Sequence, residues 1–113
     1  MSDRKKWLNR LNSIIDKNLD NPFFSNKELA TILEISERHL FRKIKAQTNL
    51  PPQKYINQYR LNQALKFLKR GQYKTVKETA YAVGFRSPSY FIKQFEKTFG
   101  IKPLQVLREA GWR

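Results

Sequence analysis

The sequence predicts an all-α fold of about seven helices, and three features of the 113 residues predict it. Apolar residues recur at helical spacing almost throughout, and no segment alternates face to face as a strand would. Capping residues and helix stops punctuate the chain at regular intervals. The second half of the chain also restates the first, cap for cap and core residue for core residue.

Trp7, Leu8, Leu11, Ile14, Ile15 and Leu19 space a first helix from about Asp3 to Asn18, ended by Asp20-Asn21-Pro22. Ser25-Asn26-Lys27-Glu28 is a capping box, in which the hydroxyl bonds the amide three residues on, and it opens a second helix with Leu29, Ala30, Ile32 and Leu33 as its buried stripe. Ser36 caps a third helix that turns Leu40 and Ile44 inward and stops at Pro51-Pro52. A long fourth helix runs from Pro52 to about Lys69, lined by Tyr55, Ile56, Tyr59, Leu61, Ala64, Leu65 and Leu68, with Gly71 just past its end. Thr75-Val76-Lys77-Glu78 is a second capping box and opens a fifth helix that ends at Gly84. Ser87-Pro88, a cap followed by proline at the first helical position, opens a sixth. Tyr90, Phe91, Phe95 and Phe99 give this sixth helix an apolar face, with both Tyr90 and Phe91 expected in the core, and Gly100 closes it. Leu104 and Val106-Leu107 suggest a short final turn or helix.

A shift of fifty residues lays Ser25 on Thr75, Glu28 on Glu78, Ala30 on Ala80, Leu33 on Val83 and Ile35 on Phe85. After one inserted residue the shift is fifty-one, and Ser36 falls on Ser87, Leu40 on Phe91, Arg42 on Lys93, Ile44 on Phe95, Asn49 on Gly100 and Pro52 on Pro103. Each copy is a short helix, a tight turn and a second helix, which is the helix-turn-helix pattern. A plain helical hairpin explains the caps and the core equally well. It does not explain why the second helix of each copy keeps a cation on its outer side.

Charge narrows the function. Lys and Arg number 23 against 9 Asp and Glu, a formal net charge of +14. Residues 51–113 hold 13 of the basic and only 3 of the acidic side chains. A domain this basic repels itself unless an anion offsets it, and nucleic acid is the usual partner. The rival classes are a basic RNA-binding or membrane-surface helical module and a protein-interaction domain that has lost DNA binding, against which the basic residues kept in the second helix of each copy argue. RNA readers expose aromatic residues on sheets or loops, whereas here the aromatic residues sit at core spacing. A surface-lying membrane helix needs one wide apolar face, and the stripe of the first helix suffices only for docking on its neighbours. No apolar run approaches a membrane span, and no membrane contact by this domain is expected. The absence of cysteine excludes disulfides and thiolate metal sites and fits a reducing compartment, so cytoplasm is the expected location. His39 is the only histidine and forms no plausible metal site by itself. No Ser/His/Asp set, Gly-rich phosphate loop or paired-carboxylate site is present, so no catalytic residue, enzyme activity, metal or cofactor is expected.

The motifs together are similar to the DNA-binding domain of the AraC/XylS family of bacterial regulators, over nearly the whole chain. The first copy resembles it in Glu28-Leu29-Ala30, Ile35-Ser36, Leu40 and Arg42-Lys43-Ile44-Lys45. The long helix resembles it in Tyr55-Ile56, Arg60-Leu61 and Ala64. The second copy carries the most specific stretch, Ala80, Val83-Gly84-Phe85, Ser87, Ser89-Tyr90-Phe91, Phe95, Lys97, Phe99-Gly100 and Pro103. Thr79 stands where the family has an aliphatic residue, and Pro88, Leu104 and Val106 also depart from its pattern. The resemblance implies two helix-turn-helix subdomains, at 1–51 and 71–113, joined by a linker helix at 52–70. Their recognition helices would enter successive major grooves about one DNA turn, ~34 Å, apart. Trp7-Leu8 through Asn18-Leu19, Phe24-Ser25 and Leu40-Phe41-Arg42-Lys43-Ile44-Lys45-Ala46 resemble the output domain of hybrid two-component proteins, with a ligand-sensing regulator or a small stand-alone one as equal alternatives. The implied partners are double-stranded promoter DNA and RNA polymerase, within a longer chain or a dimer that includes regulators anchored to a membrane elsewhere.

In a helix-turn-helix the residues near the start of the second helix face base edges, while phosphate contacts supply affinity and register. In the first unit the base-facing candidates are Glu37, Arg38, Phe41 and Arg42. Arg38 and Arg42 either read guanine O6 and N7 or touch phosphate only, and the family pattern favours a base for Arg42. Phe41 either meets a thymine methyl or packs beside Leu40. Glu37 either reads cytosine N4 or favours the helix N-terminus. In the second unit they are Ser89, Ile92 and Lys93, with Ser87 reserved as the cap. Lys27, Lys43, Lys45, Lys54, Lys74, Lys77, Arg86 and Lys97 are the phosphate candidates, joined by the amides that start the second and fifth helices. Arg60 either holds the fold together or meets the DNA backbone.

Overall fold

The computed structural model describes residues 2–111. Among them are seven helices and no strand: α1 (Asp3–Lys17), α2 (Asn26–Leu33), α3 (Glu37–Thr48), α4 (Pro52–Arg70), α5 (Val76–Ala82), α6 (Pro88–Phe99) and α7 (Pro103–Glu109). Five of these begin where a hydroxyl satisfies an otherwise orphaned amide. Ser2 accepts from Lys5 N, Ser25 from Glu28 N, Ser36 from His39 N, Thr75 from Glu78 N and Ser87 from Tyr90 N. Such a cap is worth about 1 kcal/mol, so the short helices α2 and α5 are fixed at their starts before any packing is considered.

The chain divides into two compact units, residues 1–19 with 23–59, and residues 20–22 with 60–113. The division passes through α4 between Tyr59 and Arg60. The repeat explains why. At the same fifty-one-residue shift, Pro52 and Ile56 of α4 fall on Pro103 and Leu107 of α7, all four buried. At the fifty-residue shift, Leu11 of α1 falls on Leu61 of α4, and both are buried. Each unit therefore repeats one helical sequence, α1–α2–α3 with the start of α4, then the rest of α4 with α5–α6–α7.

In the first unit Leu11, Ile15, Phe24, Leu29, Ala30, Leu33, Leu40, Ile44 and Ile56 form one buried cluster. The Tyr55 hydroxyl donates to Asn12 Oδ1 at 2.5 Å, and an Arg4 guanidinium nitrogen donates to the Gln47 carbonyl at 2.6 Å, tying α1 to α4 and α3. Burial raises the Tyr55 phenol above its usual range. It raises Tyr59 further, helped by a hydrogen bond to the Asp16 carboxylate and by that negative charge.

The second unit has a more aromatic core. Phe85 packs edge-on to Phe91 at 5.2 Å between centroids, and Phe95 continues the chain of rings to Phe99 at 4.7 Å. Thr79 is fully buried at the position where the first unit has Leu29. Its hydroxyl donates to the Thr75 carbonyl at 3.1 Å, so the buried polar group is satisfied within its own helix. Arg60, open in the sequence between a structural and a DNA-facing role, is buried in this unit. It donates to the Gly84 carbonyl at 2.5 Å and the Asn21 carbonyl at 2.9 Å. Burial lowers its proton affinity without neutralising it. Its role is to hold the turn after α5 and the 20–22 segment against α4.

Two expectations about burial are corrected. Ile32, assigned to the buried stripe of α2, is 45% exposed. Leu29 and Leu33, one turn apart, face inward, and Ile32 lies away from that stripe. Tyr90, expected in the core with Phe91, is 50% exposed while Phe91 is fully buried. Neighbours in a helix point about 100° apart, and Phe91, at the inward register of Phe95, takes the core position. The Tyr90 ring lies 6.2 Å from that of Phe85.

Candidate nucleic-acid interface

Both tight turns are built alike. Glu34 N bonds the Thr31 carbonyl at 3.1 Å and Ile35 N the Ala30 carbonyl at 3.0 Å. Fifty residues on, Gly84 N bonds the Tyr81 carbonyl at 3.0 Å and Phe85 N the Ala80 carbonyl at 2.9 Å. Residues 34 and 84 both take positive φ, 59° and 88°. This C-terminal motif reverses the chain after α2 and α5 and delivers it directly to the caps Ser36 and Ser87 of the next helices.

From those caps, α3 and α6 turn the same residues outward. Leu40 and Ile44 are fully buried, as are Phe91 and Phe95, so the rest of each helix is fixed in rotation. Glu37, Arg38, Phe41 and Arg42 of α3 are all exposed, as are Ser89, Ile92 and Lys93 of α6. By the repeat, Arg38 falls on Ser89, Phe41 on Ile92 and Arg42 on Lys93. Each unit thus presents one strip from the first half of its second helix. Phe41 is 48% exposed, so about half of its side chain is open to a ligand and the other half is covered.

The phosphate candidates divide by their surroundings. Lys27, Lys45, Lys54, Lys74, Lys77, Arg86 and Lys97 are exposed. Lys27 and Lys77 lie in the first turns of α2 and α5, and Lys74 directly precedes the Thr75 cap. Lys43 differs. It is only partly exposed, and its ammonium lies 4.7 Å from the centre of the Trp7 ring, a cation–π contact that holds it to α1.

Other exposed groups escaped the sequence reasoning. Tyr90 stands where the repeat places His39, and both are exposed at the third residue of their helices. The available signal was that alignment with a polar histidine. Lys102, exposed at the start of α7, joins Lys74 beside an open groove of about 390 Å³ lined also by Val76, Ile92, Leu104 and Leu107. Among the described residues no group of His, Asp and Glu is placed to hold a metal ion, and no helix is long and apolar enough to cross a membrane.

The fold recurs in known proteins. A family model described as a helix-turn-helix domain matches residues 29–109, most of the chain and both turns. The chain belongs to the AraC-type helix-turn-helix family. It is 36% identical over 101 residues to a histidine kinase, P4, of Formosa agariphila, covering 89% of this chain and 7% of the kinase. It is 31% identical over 110 residues to the transcriptional regulator MtrA of Neisseria gonorrhoeae, covering 95% of this chain and 36% of that regulator. The chain thus spans about a third or less of the length of these relatives.

Among solved structures, an AraC-type regulator from Chromobacterium violaceum superposes with a TM-score of 0.83 at 25% identity, covering 94% of this chain and 93% of that one. The DNA-binding domain of AdpA, solved in complex with a target DNA, superposes with a TM-score of 0.78 at 25% identity, covering 90% of each chain. The C-terminal domain of the two-component response regulator yesN from Fusobacterium nucleatum gives 0.77 at 27% identity, covering 90% of this chain and 98% of that one.

Proposed function

We propose that this chain is the sequence-specific duplex-DNA-binding part of a bacterial transcription regulator, with one recognition helix from each unit entering successive major grooves. The observation that carries the reading is the pair of outward strips on α3 and α6, equivalent by the repeat and each containing a cation in the first half of its helix. The likeness to a family member solved on its target DNA supports it.

In this reading Arg42 and Lys93 meet base edges. Arg42 has the fork geometry for guanine O6 and N7, worth about 1–3 kcal/mol of discrimination. Arg38 shares its strip, one turn toward the helix start, and Ser89 is its smaller counterpart. Glu37 lies in the first turn of α3, where a carboxylate favours the helix dipole. The exposed lysines Lys27, Lys45, Lys54, Lys74, Lys77 and Lys97, with Arg86, supply phosphate contacts and set register. Lys43 contributes through Trp7, by fixing α1 on α3. The linker is α4, whose two parts belong to different units.

The relatives place similar domains in a protein called a histidine kinase and in a response regulator. We accordingly read the chain as an output module of a longer regulator that occupies a promoter and acts on RNA polymerase. Its affinity would rise when two copies are brought together, through effective concentration.

A competition assay tests the class of ligand. A labelled promoter-length duplex library bound to the chain is challenged with unlabelled duplex DNA, structured RNA, or vesicles containing anionic lipid at equal phosphate. The proposal predicts displacement by duplex DNA at the lowest concentration. Displacement first by RNA or by vesicles would contradict it.

A further inference from the structure

Within the strip on α3, Phe41 lies between Arg38 and Arg42. Within the strip on α6, Ile92 lies between Ser89 and Lys93. These are the same position by the repeat, the fifth residue of each helix. Both side chains are large, apolar and substantially exposed, at 48% and 38%. A single exposed apolar residue is ordinary and needs no explanation. Two at one register of a duplicated unit, each directly followed by an exposed cationic residue, call for a ligand with apolar surface at a defined place.

We infer that Phe41 and Ile92 each read the C5-methyl group of a thymine, so that both half-sites of the DNA target carry a thymine at the equivalent step. This rests on the DNA-binding reading above. The major-groove edge of DNA offers one apolar group, the thymine methyl; the other base edges present donors and acceptors. An aromatic or branched aliphatic side chain pressed on those edges would leave them unpaired, which is disfavoured. Against a methyl group the same side chain removes apolar surface from water on both partners. In the second unit Val76 and Leu104 extend the apolar surface beside Ile92, where the repeat places Asn26 and Gln53 in the first. The two contacts are therefore alike in register and different in surroundings.

The probe is a duplex enriched from a random library by the 113-residue chain, remade with one thymine at a time replaced by deoxyuridine. Uracil pairs as thymine does and lacks only the methyl group. Affinity is expected to fall about fourfold, the value for one buried methyl-sized group, at one thymine in each half-site and at equivalent steps. In Phe41→Ser the penalty should vanish in the half-site read by α3 and persist in the other, and in Ile92→Ser the pattern should reverse. Both side chains are only partly covered, so the variants should keep the wild-type helical circular dichroism at the assay temperature, with at most a modestly lower melting point. An enriched motif indifferent to every uracil substitution, or a penalty that survives both serine variants, would overturn this inference while leaving DNA binding intact. Failure to enrich any motif would overturn the DNA-binding reading and this inference with it.

Discussion

Replacing Glu34 by glycine should stabilise the protein. Glu34 has φ 59° and ψ 39°, the left-handed conformation, and closes the turn between α2 and α3. Placing an L-residue there costs roughly 1–2 kcal/mol through the clash of its Cβ with the following carbonyl. Glycine removes that cost but returns about 0.5–1 kcal/mol by widening the unfolded ensemble. The Glu34 side chain is exposed, so little packing is lost, and the net expectation is about 0.5–1 kcal/mol of added stability. The second unit already makes this choice, with Gly84 in the same turn and the same hydrogen-bond pattern. Urea unfolding followed by helical circular dichroism reads the effect as a higher midpoint at unchanged slope, about 0.3–0.5 M for the slope usual at this size. Glu34→Asn should fall between, because asparagine tolerates the left-handed region better than glutamate. Gly84→Glu should move the other way, by at least about 1 kcal/mol. A destabilised Glu34→Gly, or a Gly84→Glu as stable as wild type, would refute the argument that the two turns are one motif.

Arg60→Met should cost about 2 kcal/mol, because it strands the Gly84 and Asn21 carbonyls that the guanidinium now satisfies. Arg60→Lys should restore only part of this, since one ammonium does not reproduce the fork; full stability in either variant by urea titration would contradict the assigned role. Thr79→Val should stay within about 1 kcal/mol of wild type, because the valine keeps the shape of a buried residue whose hydroxyl bonds only its own helix; a loss of several kcal/mol would show that the hydroxyl does more. The phenols of Tyr55 and Tyr59 have proton affinities raised above the ordinary value of 10.0 in the fold. Below pH 10 both states keep the proton and this stabilisation is fully present. It is lost above pH 10, where the unfolded chain ionises first, so urea midpoints should fall on raising the pH from 9.5 to 11 and should fall less in Tyr59→Phe.

Local chemistry made most of the helical framework legible. Hydroxyl caps at Ser25, Ser36, Thr75 and Ser87 act within four residues of chain, and each was readable because nothing distant competes for those amides. The repeat located the outward strips, since Leu40 and Phe91 fix the rotation of their helices wherever the rest of the molecule lies. What failed was rank within an apolar stretch. Tyr90 and Phe91 are adjacent aromatic residues, and only the packing of Phe85 and Phe95 decides which goes inward. Ile32 was misplaced for the same reason, as one apolar residue too many for the face of an eight-residue helix. Arg60 was undecidable because its two acceptors lie 24 and 39 residues away. In sequence Lys43 does not differ from its neighbours Arg42 and Lys45; only the fold places Trp7 of α1 beneath it.

The proposed function requires that two equivalent strips read two DNA elements. The measurement that tests it most directly is a selection from random duplexes with the wild-type chain, Arg42→Ala and Lys93→Ala, each at two salt concentrations. Two short motifs about one helical turn apart are expected, with Arg42→Ala relaxing one and Lys93→Ala relaxing the other, and with both motifs retained as salt weakens binding. Binding that merely weakens with salt and enriches no sequence would reduce the interaction to counterion release and contradict it.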